Sequence, residues 1–269
     1  MRLRPNLVIG GTLLGFVLAV AAVALVWTPY DPVRTSLRRR LRPPSAEYWL
    51  GTDEFGRDVL SRLMTGAVTS VTVAAATVVV ALLLGLAIGL AGGYLRGWVD
   101  RVLGALNDTL LAFPGILLAL GLLAVMGPSR WGIVLALGLA YAPTVARVVR
   151  GTVLSLRERE FVEASRALGN SESYTLLRHV LPHTIAPVTV LATSLFGWVI
   201  LSESALSFLG LGVPPPAATW GNMLASARPF MQDAPILSIA PGAMIAACLL
   251  GANLLGDALR DLLDPRDRA

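Results

Sequence analysis

Lysine is absent from the 269 residues; all 22 basic side chains are arginine. That absence removes a phosphate-loop lysine and a Schiff-base lysine, and no other residue substitutes for either. Charge of both signs is scarce at 14% of the chain, whereas apolar residues reach 55% and mean hydropathy is +0.69. A water-soluble domain of this length needs more polar surface than that. The single cysteine, Cys248, excludes an intrachain disulfide and a cysteine-based metal centre. Only two histidines occur, His179 and His183. Their i, i+4 spacing suits a metal pair, but no third ligand lies nearby, so no metal site is expected. No Gly-x-Ser-x-Gly stretch is present, which argues against a membrane-embedded hydrolase. The net charge of +5 is a membrane-protein trait and gives no reason to expect nucleic acid.

What remains is an all-α integral membrane protein. Six apolar segments approach the length that crosses roughly 30 Å of hydrocarbon at about 1.5 Å per residue. They cover residues 7–27, 68–95, 102–126, 131–149, 184–201 and 234–255. Pro114, Pro143, Pro187 and Pro241 fall inside them and predict kinks. Gly85 and Gly89 stand at helix-packing spacing. Arg2 and Arg4 precede the first run as in a signal peptide, but the run is too long for a signal core, and a retained first helix is expected. With the amino terminus inside, a modest majority of the arginines falls on the cytoplasmic side, against a long arginine-rich first loop.

One polar stretch stands out, residues 155–182 between the fourth and fifth runs. Ser155 and Glu158 fit a capping box, and Phe161, Ala164 and Leu168 share one helical face. Gly169 is a natural left-handed stop, and Asn170–Ser171 can restart a helix. A second helix then presents Leu177, Val180 and Leu181, and Pro182 is expected to end it. By itself this describes an amphipathic helix pair lying on a membrane surface.

The residues carry more than that. Glu163-Ala164-Ser165, Gly169 after three further residues, and Leu181-Pro182 resemble the signature loop of ABC-importer permeases. Ser165 replaces the usual second Ala of that pattern, and His179 stands where Ile is usual. Three other stretches resemble the dipeptide, oligopeptide and nickel permease branch: "LGTDEFGRDVLSRLMTGA" (50–67), "ALSFLGLGVPPPAATWGNML" (205–224) and "NLLGDALRDLLDPR" (253–266). The resemblance implies a type I ABC importer transmembrane domain of six helices with a cytoplasmic coupling helix. Residues 1–67 would hold the first span and a periplasmic amphipathic segment, and 68–269 the permease core. Phe161, Glu163, Ala164, Ser165, Leu168, Gly169, Leu181 and Pro182 become the candidates for docking an ATPase. Both termini would be cytoplasmic in a bacterial inner membrane. The partners implied are a homologous permease, two ATPase subunits that hold ATP and Mg, and a periplasmic or lipid-anchored solute-binding protein. This chain would bind no cofactor and catalyse nothing. The expected substrate is a dipeptide or short oligopeptide, with nickel or a nickel chelate as the alternative.

Smaller expectations follow from local pattern. Thr52 reads as an N-cap with Asp53–Glu54 in the first turn, and Asp58 can pair with Arg62. Pro214–Pro216 forces an extended crossing. Trp220 and Asn222 are candidates for contact with the binding protein, packing being the competing role for Trp220. Asp108 and Glu203 are candidates for lining the pathway, because ionisable groups in lipid are costly; water near the external end would hydrate Glu203. A stand-alone channel or secondary transporter would show inverted repeats or midplane carboxylates, and neither is evident.

Overall fold

The computed structural model describes residues 5–263, so Arg2, Arg4 and the tail beyond 263 lie outside the described residues. Its helices are α1 (Pro5–Ala24), α2 (Val59–Leu95), α3 (Gly97–Leu111), α4 (Gly115–Met126) and α5 (Arg130–Leu156), followed by α6 (Glu160–Ala167) and α7 (Glu172–Thr175). A π-turn, Leu176–Val180, leads into α8 (Leu181–Phe208), then α9 (Trp220–Ala227) and α10 (Ile236–Leu263). Among the described residues five helical stretches are long and apolar enough to cross a membrane.

The expected third span is not one helix. Its two halves, α3 and α4, meet at a bend of 92°. Pro114 caps α4 and cannot donate to a preceding turn, and it pushes Phe113 out of the helical region. No residue of α3 is buried, and Asp100, Arg101 and Asp108 keep that half polar. The second expectation to change is the segment before the second span. Residues 59–67 are already part of α2, so a boundary at 67/68 falls inside one continuous helix. Its N-cap is Asp58, whose Oδ2 accepts from the Ser61 amide at 2.8 Å and the Ser61 hydroxyl at 2.6 Å. Asp58 therefore does not pair with Arg62, which lies 3.4 Å from Asp53 instead. Thr52 is buried in the preceding loop and receives the Arg42 amide, while Asp53 takes the Phe55 and Arg57 amides at 2.9 Å each. Pro182, thirdly, ends nothing: the helical stretch runs from Glu172 to Phe208. A proline ring collides with the carbonyl four residues back, and the widened turn at 176–180 relieves that collision.

The most extensive helix contact among the described residues is between α2 and α5. Gly85, Gly89 and Gly93 lie one above another on α2 and face Val145, Val149 and Val153, all three valines fully buried. A Cβ added at Gly85 would sit 2.4 Å from the Val145 Cβ, at Gly89 2.6 Å from that of Val149, and at Gly93 2.9 Å from that of Val153. Glycine is thus required three times in succession, because it lets the two backbones approach to valine-in-groove distance. A second tight crossing joins α1 to α10, where Gly10 meets the Leu255 backbone and Gly251 meets that of Leu14. At 37 residues, α2 is about 55 Å long and ties the two ends of the molecule together.

Gly89→Leu is expected to lower the thermal stability of the purified protein by about 1–3 kcal/mol or more, because the new side chain must displace Val149. Gly11→Leu, which meets nothing within 4 Å, is the control expected to leave the melting temperature unchanged.

Candidate functional site

The polar stretch folds into an elbow at one end of the bundle. α5 continues to Leu156, so Ser155 is helical and its hydroxyl donates to the Thr152 carbonyl. The proposed capping box with Glu158 is therefore absent; α6 starts behind Arg159, and Glu158 stands 4.0 Å from Arg96. At the other end of α6 the Gly169 amide donates to Arg166 O at 2.9 Å and the Asn170 amide to Ser165 O at 3.2 Å. This is the paired closure that needs a left-handed residue, and Gly169 has φ +80°. Ser171 then caps α7 by accepting the Tyr174 amide.

Two faces of α6 do different work. Val162 and Ser165 are buried, and the Ser165 hydroxyl pairs with that of Thr175 at 2.9 Å and accepts from the Asn170 side chain at 3.2 Å. Ser165, one of the two residues that depart from the resembled pattern, thus fastens the two arms together. On the opposite face Phe161, Glu163, Ala164 and Leu168 are exposed, Leu168 to 81%. Leu177 is exposed beside them, Val180 is buried, Leu181 is half-buried and Pro182 is exposed. Phe161 stacks on His183 at 5.1 Å, and Tyr174 meets His179 edge-on at 5.7 Å. Both imidazoles therefore pack against rings.

Residues outside the predicted set hold the elbow to the bundle. Tyr94, one residue before the end of α2, is buried, and its hydroxyl donates to Glu172. Arg166 pairs with Glu172 at 3.1 Å, Arg157 donates to the Tyr94 carbonyl, and both guanidinium groups lie over the Tyr94 ring at 5.7 and 5.8 Å. Partners so far apart in sequence leave no spacing signal; only an aromatic at a helix end hinted at Tyr94.

The remaining candidates separate. Asp108 pairs with Arg147 at 2.9 Å, both side chains more than half exposed, and Arg150 grips Asp100 with two bonds of 2.6 and 2.9 Å. These pairs border a cleft of about 90 Å³ between α2, α3 and α5. An exposed ion pair on such helices faces protein or water, because acyl chains solvate neither charge. Glu203 is different: it is fully buried, with Oε1 accepting from Ser207 at 2.7 Å and Oε2 without a partner within the chain. It is turned into the chain's interior. Trp220 is also fully buried, donating from its indole to Leu63 O and from its amide to Ser70, each at 3.2 Å. It presents no surface to a binding protein, so packing is its role here. Asn222 completes a capping box with Thr219 and donates to Ala217 O at 2.8 Å, which commits its amide to the loop.

Comparison with known proteins identifies the family. Residues 81–268 match the family model described as binding-protein-dependent transport system inner membrane component. The chain is 40% identical over 259 residues to the dipeptide transport system permease protein DppC of Alkalihalophilus pseudofirmus, covering 96% of this chain and 85% of that protein. It is 42% identical over 257 residues to a putative peptide transport system permease protein of Brucella suis, covering 95% and 86%. It is 40% identical over 256 residues to the glutathione transport system permease protein GsiD of Pectobacterium atrosepticum, covering 93% and 85%. Among solved structures, the MetNI methionine ABC transporter in an inward-facing conformation superposes with a TM-score of 0.61 at 17% identity, over 76% of this chain and 96% of that one. The last likeness establishes the fold alone. With the family model spanning most of the helical bundle and relatives matching nearly end to end, the chain belongs to the inner-membrane permease components of binding-protein-dependent ABC transport systems.

Proposed function

We propose that this chain is one half of the membrane channel of a bacterial importer for dipeptides or other short peptides. Its partners in this reading are a homologous permease, two ATPase subunits at the cytoplasmic face that hold ATP and Mg, and a solute-binding protein on the opposite side. The termini and the elbow share the cytoplasmic side. The carrying observation is the apolar ridge of Phe161, Ala164 and Leu168, exposed on a helix whose other face is fastened to α7, which Glu172 in turn ties to Tyr94 of α2. A ridge so placed supports docking into a moving ATPase, because displacement of α6 is passed to Tyr94 and to α5. The names of the relatives favour a peptide over a nickel chelate: two transport peptides and one glutathione, itself a short peptide with free termini. Asp108 and Arg147, joined across α3 and α5, are the candidates to face the route on this side of the channel. Passage is by alternating access between the two halves, driven by nucleotide bound elsewhere.

Two measurements test this. Ala164→Cys adds an exposed thiol to a chain whose only cysteine is buried. A bifunctional thiol reagent is expected to cross-link it to an ATPase subunit in the assembled complex, and absence of that product sinks the docking role. Gly169→Val places a β-branched residue at φ +80°, strained by about 1–2 kcal/mol or more whatever the space around it. It is expected to insert normally yet take up labelled dipeptide at least tenfold more slowly in proteoliposomes, with Gly169→Asn close to wild type. Normal uptake by the valine variant contradicts the lever.

A further inference from the structure

The end of the molecule remote from the elbow carries a pocket that the transport reading does not use. It lies where α1 gives way to the loop and α2 begins, about 55 Å along α2 from Tyr94. Its volume is about 250 Å³, and its wall includes Trp27, Tyr30, Glu47, Trp49, Asp58 and Leu60. The loop that builds it is held firmly. Tyr30 stacks on the buried Tyr48 at 4.9 Å, its amide donates to Ser61 and its hydroxyl to the Glu47 carbonyl.

The unusual member of this wall is Asp58. It is 3% exposed, and while Oδ2 caps α2, Oδ1 is withdrawn from solvent without a hydrogen-bond partner. A buried carboxylate oxygen left so is costly, because it has lost its hydration and gained no donor. Among the described residues no cation reaches ion-pair distance of Asp58. Arg39 stands 3.7 Å from the second acid, Glu47, but at the exposed rim, and its guanidinium bonds the Tyr48 hydroxyl. The local field agrees: partial loss of hydration, then Tyr48, Glu47 and Asp58, hold the Tyr30 phenol above its usual range, with Arg39 pulling the other way. Trp27 and Trp49 remain largely exposed at the mouth.

Two carboxylates, one of them unsatisfied, among three aromatic rings make a definite chemical request. A hard divalent ion wants six or more oxygens and finds too few here. A compact cation with hydrogen-bond donors is served by both features, since the acids accept its protons and the ring faces attract its charge. We propose that this pocket binds a primary ammonium group presented at the membrane surface. Trp27 follows α1 by three residues, at the level where interfacial aromatics meet headgroups. Two sources present that chemistry there: the headgroup of an aminophospholipid and the free amino terminus of a short peptide.

The test uses the full chain in nanodiscs, with binding and not uptake as the readout, so its failure leaves the transport assignment untouched. In one arm, native mass spectrometry counts phosphatidylethanolamine retained against phosphatidylglycerol. In the other, tryptophan fluorescence in ethanolamine-free discs follows titration with Ala-Ala against N-acetyl-Ala-Ala. Wild type is expected to prefer the ammonium-bearing probe at least tenfold in one arm or both, and the responding arm names the source. Asp58→Asn, which keeps a helix-capping side chain, and Glu47→Gln, at the exposed rim, are each expected to remove at least tenfold of that preference. Glu47→Gln decides alone should Asp58→Asn fail to fold. Equal binding of both probes in both arms, or variants that bind as wild type does, overturns the site.

Discussion

Three glycines against three valines set the limits within which the rest of this molecule works. In lipid, helices gain little from hiding apolar surface, so association rests on how closely backbones approach. Gly85, Gly89 and Gly93 remove atoms that would hold α2 away from α5, and Gly138 does the same on the α5 side against Val80. The resulting seam gains dispersion contacts along its whole length and leaves no room for sliding by less than a helical turn. The two helices joined by the seam are the two that lead into the elbow: α5 by chain continuity, α2 through Tyr94. α6 is thus joined, by chain continuity and through Tyr94, to one closely packed pair of helices.

The polar residues obey a complementary rule. Asp53, Arg57 and Arg62 lock the entry to α2, while Tyr94, Glu172 and Arg166 lock its exit. Thr219 and Asn222 close the loop that seats Trp220. Each cluster sits at a helix end, where backbone groups already need partners and where a charge finds water or a counter-charge. Glu203 breaks the rule, being fully buried on α8 with one hydroxyl on Oε1 and an unpaired Oε2. Its neighbours Ser204 and Ser207 pack against Gly221, so the acid lies beneath the point where the α8–α9 loop folds back.

How much of this was legible in the sequence depended on the range of the interaction. The spans followed from apolar run length, and the left-handed stop at Gly169 from one residue type in one local pattern. Gly85 and Gly89 announced close packing, although not against which helix. Local competition defeated the other expectations. Thr52 looks like an N-cap, but Asp58 lies nearer the apolar run and binds the Ser61 amide more directly. Pro182 looks like a stop, but a single π-turn accommodates it. Pro114 was expected to kink a helix and instead divides one, because α3 carries charges that keep it from continuing into the apolar layer. Arg157 and Thr175 escaped altogether and Tyr94 showed only as an aromatic at a helix end, since their partners lie on other elements of the elbow and bundle.

The elbow also shows why an amphipathic pattern states less than a contact map. From sequence, Phe161, Ala164 and Leu168 form the apolar face of α6, and an apolar face normally turns inward. Here it turns outward, and a serine takes the inner position. The inversion has a physical basis: Ser165 meets the Thr175 hydroxyl and the Asn170 amide, so burying it leaves no polar atom wanting, while Val162 supplies the apolar contact beside it. With the inner face satisfied by a serine, the ridge is left in water at a cost that grows with its area. The exposed ridge and the satisfied inner face are thus two consequences of one serine on a short helix.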